Sequence, residues 1–97
     1  MKAVYIVFNQ AYYESVLSIL EYCNIRGFTH QENVRGRGSH TGEPHYGSHA
    51  WPTLNHSIWT IIEPEKVPQL LTLLKRLDKK TEQQGLRAFV LPVEEMI

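Results

Sequence analysis

Three histidines and a glutamate recur at short intervals in one polar stretch of the chain. His40, His45 and His49 are spaced by five and four residues, and Glu43 lies between the first two. Neutral imidazole nitrogens bind zinc, copper and nickel, and a carboxylate can complete such a ligand set. These four side chains therefore form a candidate site for zinc, copper or nickel.

Two other interpretations of the same stretch stay open. Its histidines could simply be solvated in a polar, glycine-rich loop, or the loop could dock on a partner protein without metal. Tyr46 and Trp51 are the candidate partner-binding residues, because exposed aromatic side chains often anchor protein interfaces. We expect His56 to be a strand residue near the base of the loop and His30 to be a solvent-facing strand residue.

Glycines around a basic residue precede the histidines and form a candidate anion site. The run is Gly36-Arg37-Gly38, and backbone amides in such turns can cradle phosphate or another anion. The run lacks the glycine spacing and lysine of a Walker motif, and no helix follows it as a dinucleotide fingerprint requires. We expect an anion or nucleotide site here, with turn formation alone as the alternative.

Length and charge limit the classes of protein to which the chain can belong. Its 97 residues are expected to form a single domain, residues 1–97. Ten basic and ten acidic residues balance, whereas a general nucleic-acid binder is usually strongly basic, so nucleic acid is not an expected partner. The only cysteine, Cys23, excludes an intrachain disulfide and is expected to be a buried small side chain.

Neither a membrane span nor a signal peptide is expected from the sequence. No apolar run approaches the roughly 20 residues that a membrane-spanning helix needs. The first residues lack the longer apolar core and the cleavage site of a signal peptide. We therefore expect a cytoplasmic protein without membrane insertion.

Hydrophobic periodicity predicts the element order β-α-β-β-α-β. Apolar, β-branched and aromatic content predicts strands over residues 2–8, 27–34, 55–62 and 86–93. Apolar residues at helical spacing predict a helix from Ala11 to Cys23, ended near Asn24, and a second from about residue 63 until Gly85 stops it. Pro92 implies an edge strand or a strand end.

This order is that of the α+β ferredoxin-like fold, in which an antiparallel sheet carries two helices on one face. The other face of the sheet must either be exposed to solvent or be buried by other residues. For so small a chain, a second subunit is a plausible way to bury it. Trp59 is expected in the core or at a subunit interface. Residues from about 37 to 54 then form a long insertion between the second and third strands, and long loops in compact domains are usually functional.

Several motifs on this frame resemble the PII signalling proteins and their PII-like relatives. Gly27-Phe28-Thr29 is similar to the start of the family's second strand, and Val34-Arg35-Gly36-Arg37-Gly38 to the run that enters its large T-loop. His40-Thr41 lies near the place of a histidine-threonine pair. The ending, residues 89–97, resembles the family's phenylalanine-valine-x-proline-valine-glutamate-glutamate-x-isoleucine segment. The common order of these short motifs carries the resemblance.

The resemblance implies a homotrimer with three T-loops and with ligand clefts between subunits, which in the family often hold an adenine nucleotide. It also implies regulation through docking of the loop on a partner, either a membrane transporter or a regulated enzyme. Arg87 occupies roughly the place of the family's phosphate lysine and joins Gly36, Arg37 and Gly38 as a ligand-binding residue. The preceding loop is shorter than the family's and has one glycine, and we expect no counterpart of the family's arginine-bearing tail.

We therefore expect a PII-like trimeric regulatory protein that binds an adenine nucleotide or another anion and acts on a partner through its long loop. The alternative is a metal-binding PII-like protein of metal homeostasis that uses the loop histidines. An enzyme is not expected, because the sequence offers no nucleophile–base–carboxylate set.

Overall fold

The computed structural model describes residues 1–35, 54–80 and 85–97, which form four strands and two helices. The strands are β1 (Lys2–Asn9), β2 (Thr29–Val34), β3 (Asn55–Ile62) and β4 (Arg87–Pro92), and the helices are α1 (Tyr13–Tyr22) and α2 (Val67–Lys80). Short 3-10 turns, Gln10–Tyr12 and Pro64–Lys66, lead into the two helices. The predicted order of elements is confirmed.

The four strands form one antiparallel sheet in the order β2-β3-β1-β4. The long-range pairing of β1 with both β3 and β4 gives the ferredoxin-like topology that the sequence predicts. β2 and β4 are the edge strands. Pro92 therefore lies at the end of an edge strand, where its missing N–H leaves no gap inside the sheet.

Alternate residues of β1 form the centre of the core. Val4, Ile6 and Phe8 are fully buried, because side chains two residues apart share one face of a strand. Residues from both helices join the same cluster, which places α1 and α2 on this face: Val16, Leu20, Leu70, Leu74 and Leu77. Cys23 also belongs to it, and burial raises the pKa of its thiol, as expected for an unreactive core cysteine.

The first helix begins two residues later than the sequence predicts, at Tyr13 rather than Ala11. The Asn9 side chain accepts a hydrogen bond from the Ala11 N–H at 2.8 Å and holds the chain in a 3-10 turn first. The helix ends as predicted near Asn24, which adopts a left-handed φ of 57°. Asn24 N donates to Glu21 O and Ile25 N to Leu20 O, so the ending is a Schellman motif.

The second helix is described as far as Lys80. Residues 81–84, where the sequence predicts that the helix continues, lie outside the described residues, and Gly85, the predicted stop, has a left-handed φ of 73°. The Leu86 N–H donates to Asp78 Oδ1 at 3.3 Å, so the residue before β4 lies beside the last described turn of the helix. The second strand also starts later, at Thr29 instead of Gly27.

The second face of the sheet carries an exposed apolar row. Tyr5 pairs with Trp59 on one side and with Phe89 on the other, so the three side chains share one face. The Tyr5 and Trp59 ring centroids are 4.5 Å apart. Trp59 is 39% exposed and Phe89 is 54% exposed, and Ile61 and Leu91 continue the patch. Trp59 is therefore not a core residue of the single chain.

Candidate functional site at one end of the sheet

Most of the residues that the sequence singles out lie outside the described part of the chain. Arg87 is described. The remaining candidates all fall within residues 36–53: Gly36, Arg37, Gly38, His40, Glu43, His45, Tyr46, His49 and Trp51. The insertion itself, from about residue 37 to 54, is described only at residue 54. The geometry that can be given is that of the base from which this segment leaves the sheet.

The two parts of the predicted anion site, the segment after β2 and Arg87, lie at the same end of the sheet. β2 ends at Val34, which pairs with Asn55 at the start of β3, and Asn55 pairs with Asn9 at the end of β1. Arg87, at the start of β4, pairs with Val7 of β1. The exit of β2 and the entry of β4 therefore share one end of the sheet, at its two opposite edges.

Arg87 is held by contacts near the last turn of α2. Its Nη1 donates to the Leu86 carbonyl at 2.7 Å and lies 3.8 Å from Asp78 Oδ2. The Arg87 side chain is 44% exposed, so this ion pair is screened by water and contributes little to stability. The Leu86 carbonyl and Asp78 orient the guanidinium, whose positive charge remains accessible to solvent at the end of the sheet.

Backbone contacts fix the point at which the chain enters β3. Gln10 N donates to the Leu54 carbonyl at 2.9 Å, which ties the residue before β3 to the turn after β1. Asn9 caps the same turn through its side chain. The base of the insertion is thus anchored to the central strand and not only to its own hairpin.

Two histidines meet at this base, on the face of the sheet that carries the helices. His30 Nε2 lies 2.9 Å from His56 Nδ1, within hydrogen-bond distance. The His30 ring stacks on Tyr13 with centroids 4.4 Å apart, and His56 contacts Phe8 and Tyr13. His56 is a strand residue near the loop base, as predicted. The prediction that His30 faces solvent is wrong, because the ring is half-buried between Tyr13 and His56.

The surroundings of His56 favour its neutral form. Burial is the main cause that lowers its pKa, and the neighbouring His30 lowers it further, while Glu32 opposes both. In a hydrogen bond between two imidazoles, one facing nitrogen donates and the other must stay unprotonated in order to accept. Protonation of His56 is therefore disfavoured beside His30.

The regular pairing of β2 with β3 is interrupted beside this pair. The register runs from Thr29 to Gln31, shifts, and resumes at Val34 opposite Asn55. Asn33 lies in the interruption with a left-handed φ of 58°, a conformation that asparagine tolerates better than most residues. A side-chain hydrogen bond from Ser57 Oγ to Gln31 Oε1, at 3.1 Å, links the strands on the opposite face.

Among residues 1–35, 54–80 and 85–97, no group of three or more histidine, cysteine or acidic side chains is placed to hold a metal ion. The predicted ligands His40, Glu43, His45 and His49 lie outside these ranges, so the loop metal site stays a prediction. In the same ranges, no helix is long and apolar enough to cross a membrane.

A concavity lies at the other end of the molecule. Its volume is about 610 Å³, and its walls come from the last turns of α1 and the residues before β2, including Leu17, Glu21, Arg26 and Phe28. It is remote from Arg87 and from the base of the insertion. We assign no ligand to it.

The histidine pair was missed in the sequence, although a partial signal was present. His56 has the same parity as Ile58 and Ile62, whose side chains face the helices in a strand with alternating burial. This parity alone could have placed His56 on the inner face. The partner could not be found, because the pairing with His30 depends on the register of β2 after a break in the ladder.

The whole chain matches a known protein family. The sequence profile described as "Nitrogen regulatory protein P-II" matches residues 1–97. No protein with a curated description matches the sequence.

Solved structures of similar fold include CPII, a nitrogen regulatory PII-like protein from Thiomonas intermedia K12. Its complex with ADP and bicarbonate has 24% identity and a TM-score of 0.74, with 93% of this chain and 82% of that chain covered. Its complex with ADP, AMP and acetate has 22% identity and a TM-score of 0.73, with 92% and 81% covered. A PII-like signalling protein from Thermus thermophilus has 22% identity and a TM-score of 0.67, with 93% and 83% covered. These likenesses concern the fold.

Proposed function

Because the chain belongs to the nitrogen regulatory protein P-II family, we propose that it is a trimeric regulator that binds an adenine nucleotide or another anion. Proteins of this family are regulatory signalling proteins rather than enzymes. The ligand lies in clefts between subunits, and its binding is transmitted to a partner through the insertion from about residue 37 to 54. The observation that carries the proposal is the position of Arg87 at the end of the sheet from which this insertion departs.

The exposed apolar face supports the trimer. Tyr5, Trp59 and Phe89 form a continuous row on the face opposite the helices. Apolar side chains gain roughly 25 cal/mol for each Å² removed from water, and contiguous exposed patches of this kind often mark protein interfaces. A formal net charge of zero adds no strong repulsion between copies of the chain.

The arrangement of the strands supports a ligand cleft at a subunit boundary. β2 and β4 are opposite edges of the sheet, so three strand spacings, roughly 14 Å, separate Arg87 from the exit of β2. Within one chain this leaves a wide, open site. A neighbouring subunit placed against either edge would narrow it to the size of a phosphate-bearing ligand. The solved CPII complexes contain ADP and AMP, which makes an adenine nucleotide the first ligand to test.

Replacing Arg87 tests the nucleotide site. We expect Arg87→Ala to weaken binding of ADP by roughly tenfold or more, because a charge-assisted contact to phosphate contributes about 1.5–3 kcal/mol. Isothermal titration calorimetry with ADP, AMP and ATP measures the effect. Arg76→Ala, which removes the same charge from the exposed side of α2, is the matched control and is expected to leave affinity unchanged. Absence of nucleotide binding by the wild-type chain would overturn the nucleotide proposal.

The proposal for a partner of the insertion rests on the aromatic side chains that the insertion carries. Tyr46 and Trp51 are the residues whose exposure would anchor a membrane transporter or a regulated enzyme. The cytoplasmic location stays a prediction from the sequence.

Metal binding is the second candidate function. It is supported by the spacing of His40, His45 and His49 around Glu43 in the sequence. Titration of zinc, copper and nickel into the wild-type chain and into the variant with all three histidines replaced by alanine tests it directly.

A further inference from the structure

The contact between His30 and His56 borders the interruption in the β2–β3 ladder. The regular pairing ends at Gln31 opposite Ser57 and resumes where Val34 meets Asn55, so His56 lies opposite the interruption and His30 lies in the last regular pairs before it. At this border two side-chain contacts link the strands, the histidine pair on the helix face and the Ser57–Gln31 hydrogen bond on the other face. A change in either contact acts on the junction between the end of β2 and the start of β3.

The number of protons on the pair decides whether its hydrogen bond can exist. With both rings neutral, one facing nitrogen donates and the other accepts. With one extra proton, an imidazolium donates to a neutral imidazole, and the bond is charge-assisted. With both rings protonated, two N–H groups face each other across 2.9 Å with no acceptor between them. The third state carries two like charges as well, so it must separate.

The groups around the pair do not remove this conflict. Tyr13 of α1 stacks on His30 and Phe8 of β1 contacts His56, and both present rings without a formal charge at neutral pH. Glu32 of β2 is the charged group that acts on His56, and its attraction is outweighed by burial and by the repulsion of His30. Ser57 and Gln31 do not titrate in this range.

We propose that the His30–His56 pair is a proton-dependent clasp that holds the end of β2 to the start of β3 while at most one of the two rings is an imidazolium, and that opens when both rings are imidazolium ions. The clasp lies entirely within described residues. It determines whether the end of β2 stays paired with the start of β3, between which the candidate ligand-binding insertion lies. Its action does not require a nucleotide or a metal, so it stands or falls independently of the proposed function.

The direction of the pH effect follows from linkage. Because the pKa of His56 is lowered in the folded chain, the unfolded junction binds more protons than the folded one as the pH falls below the ordinary histidine value of about 6.5. The stabilising effect of the clasp is therefore complete above that value and is lost as the pH falls.

Amide hydrogen exchange measured by NMR on the full chain, with EDTA present, tests the clasp. Rates at Gln31, Val34 and Ser57 are recorded from about pH 7.5 to about pH 4.5, corrected for intrinsic exchange and compared with the β1–β3 ladder at Ile6. We expect protection at the junction to fall roughly tenfold relative to that reference as the pH is lowered. The matched variant is His30→Gln with His56→Asn, in which the amide groups stand near the facing Nε2 and Nδ1 positions and do not titrate.

The variant is expected to keep its junction protection at low pH. An equal pH-dependent loss in the wild type and the variant, or no loss in the wild type, would overturn the proposal. If the double variant does not fold, the ring resonances of wild-type His30 and His56 decide the question. Two coupled steps, the second below about pH 6.5, support the clasp, whereas two independent titrations at the ordinary histidine value contradict it.

Discussion

Asp78 is the residue that gives Arg87 both its position and part of its electrostatic environment. One carboxylate oxygen accepts the Leu86 N–H and the other lies 3.8 Å from the guanidinium. The same side chain therefore shapes the start of β4 and offsets a cation that is proposed to bind phosphate. These two roles can be separated by chemistry, because asparagine retains an acceptor oxygen but carries no charge.

Asp78→Asn is expected to tighten ADP binding by up to about fivefold. The reason is that loss of a partly exposed opposite charge removes the attraction of a surface ion pair, about 0.2–1 kcal/mol, that competes with phosphate for Arg87. Calorimetry measures the affinity, and Glu65→Gln, which removes one exposed negative charge at the opposite end of the sheet, controls for net charge. Unchanged or weaker binding by a folded Asp78→Asn chain would show that Asp78 does not restrain Arg87.

The end of α1 shows how one residue fixes the direction of an element. Asn24, with φ 57°, reverses the chain so that Ile25 returns to the core beside Leu20. The Lys66 side chain donates to the Asn24 carbonyl at 2.8 Å and ties this turn to the start of the second helical segment. The turn thus links α1, β2 and the beginning of α2.

Asn24→Ala is expected to lower the free energy of unfolding by about 1 kcal/mol, because alanine has a larger steric cost in the left-handed region than asparagine. Asn24→Gly is the control, and its urea midpoint is expected to be at least as high as that of the wild type. Urea denaturation at one fixed protein concentration measures both, since assembly would add to the apparent stability. Equal stability of the alanine and glycine variants would contradict the expected strain.

At the scale of the whole molecule, the apolar sheet face is the surface that assembly would cover. The helices bury one face of the sheet, while Trp59, Ile61, Phe89 and Leu91 remain exposed on the other. A chain of this size buries only a modest share of its surface by itself. Assembly over this face would supply the second half of a core that the single chain leaves open.

Trp59→Glu is therefore expected to convert the proposed trimer into monomers. A carboxylate placed in an apolar interface loses its hydration without gaining a partner. Sedimentation equilibrium at micromolar concentration measures the assembly, and Tyr22→Glu, at a site that is 67% exposed outside the sheet, is the control expected to remain trimeric. A wild-type chain that sediments as a monomer, or a Trp59→Glu chain that stays trimeric, would contradict the assembly.

The sequence by itself determined the order and type of the elements. Strand and helix signals are local, since the apolar, β-branched run of β1 and the helical spacing in α2 can be read from neighbouring residues. Two single residues were likewise informative. Asn24 favours the left-handed conformation that ends a helix, and Pro92 lacks the N–H that an interior strand position needs. The family resemblance rested on short motifs of the same local kind, and the match over residues 1–97 confirms it.

Only the tertiary structure decided which distant side chains meet. His30 and His56 are 26 residues apart and come within 2.9 Å through the register of two strands across a break in their ladder. Asp78 of α2 and Arg87 of β4 are nine residues apart, and the position of β4 beside the helix brings their charged atoms to 3.8 Å. A single-residue shift in register moves a side chain to the opposite face of a sheet. Periodicity therefore determines the elements, whereas the contacts between them depend on a register that only packing of the whole chain selects.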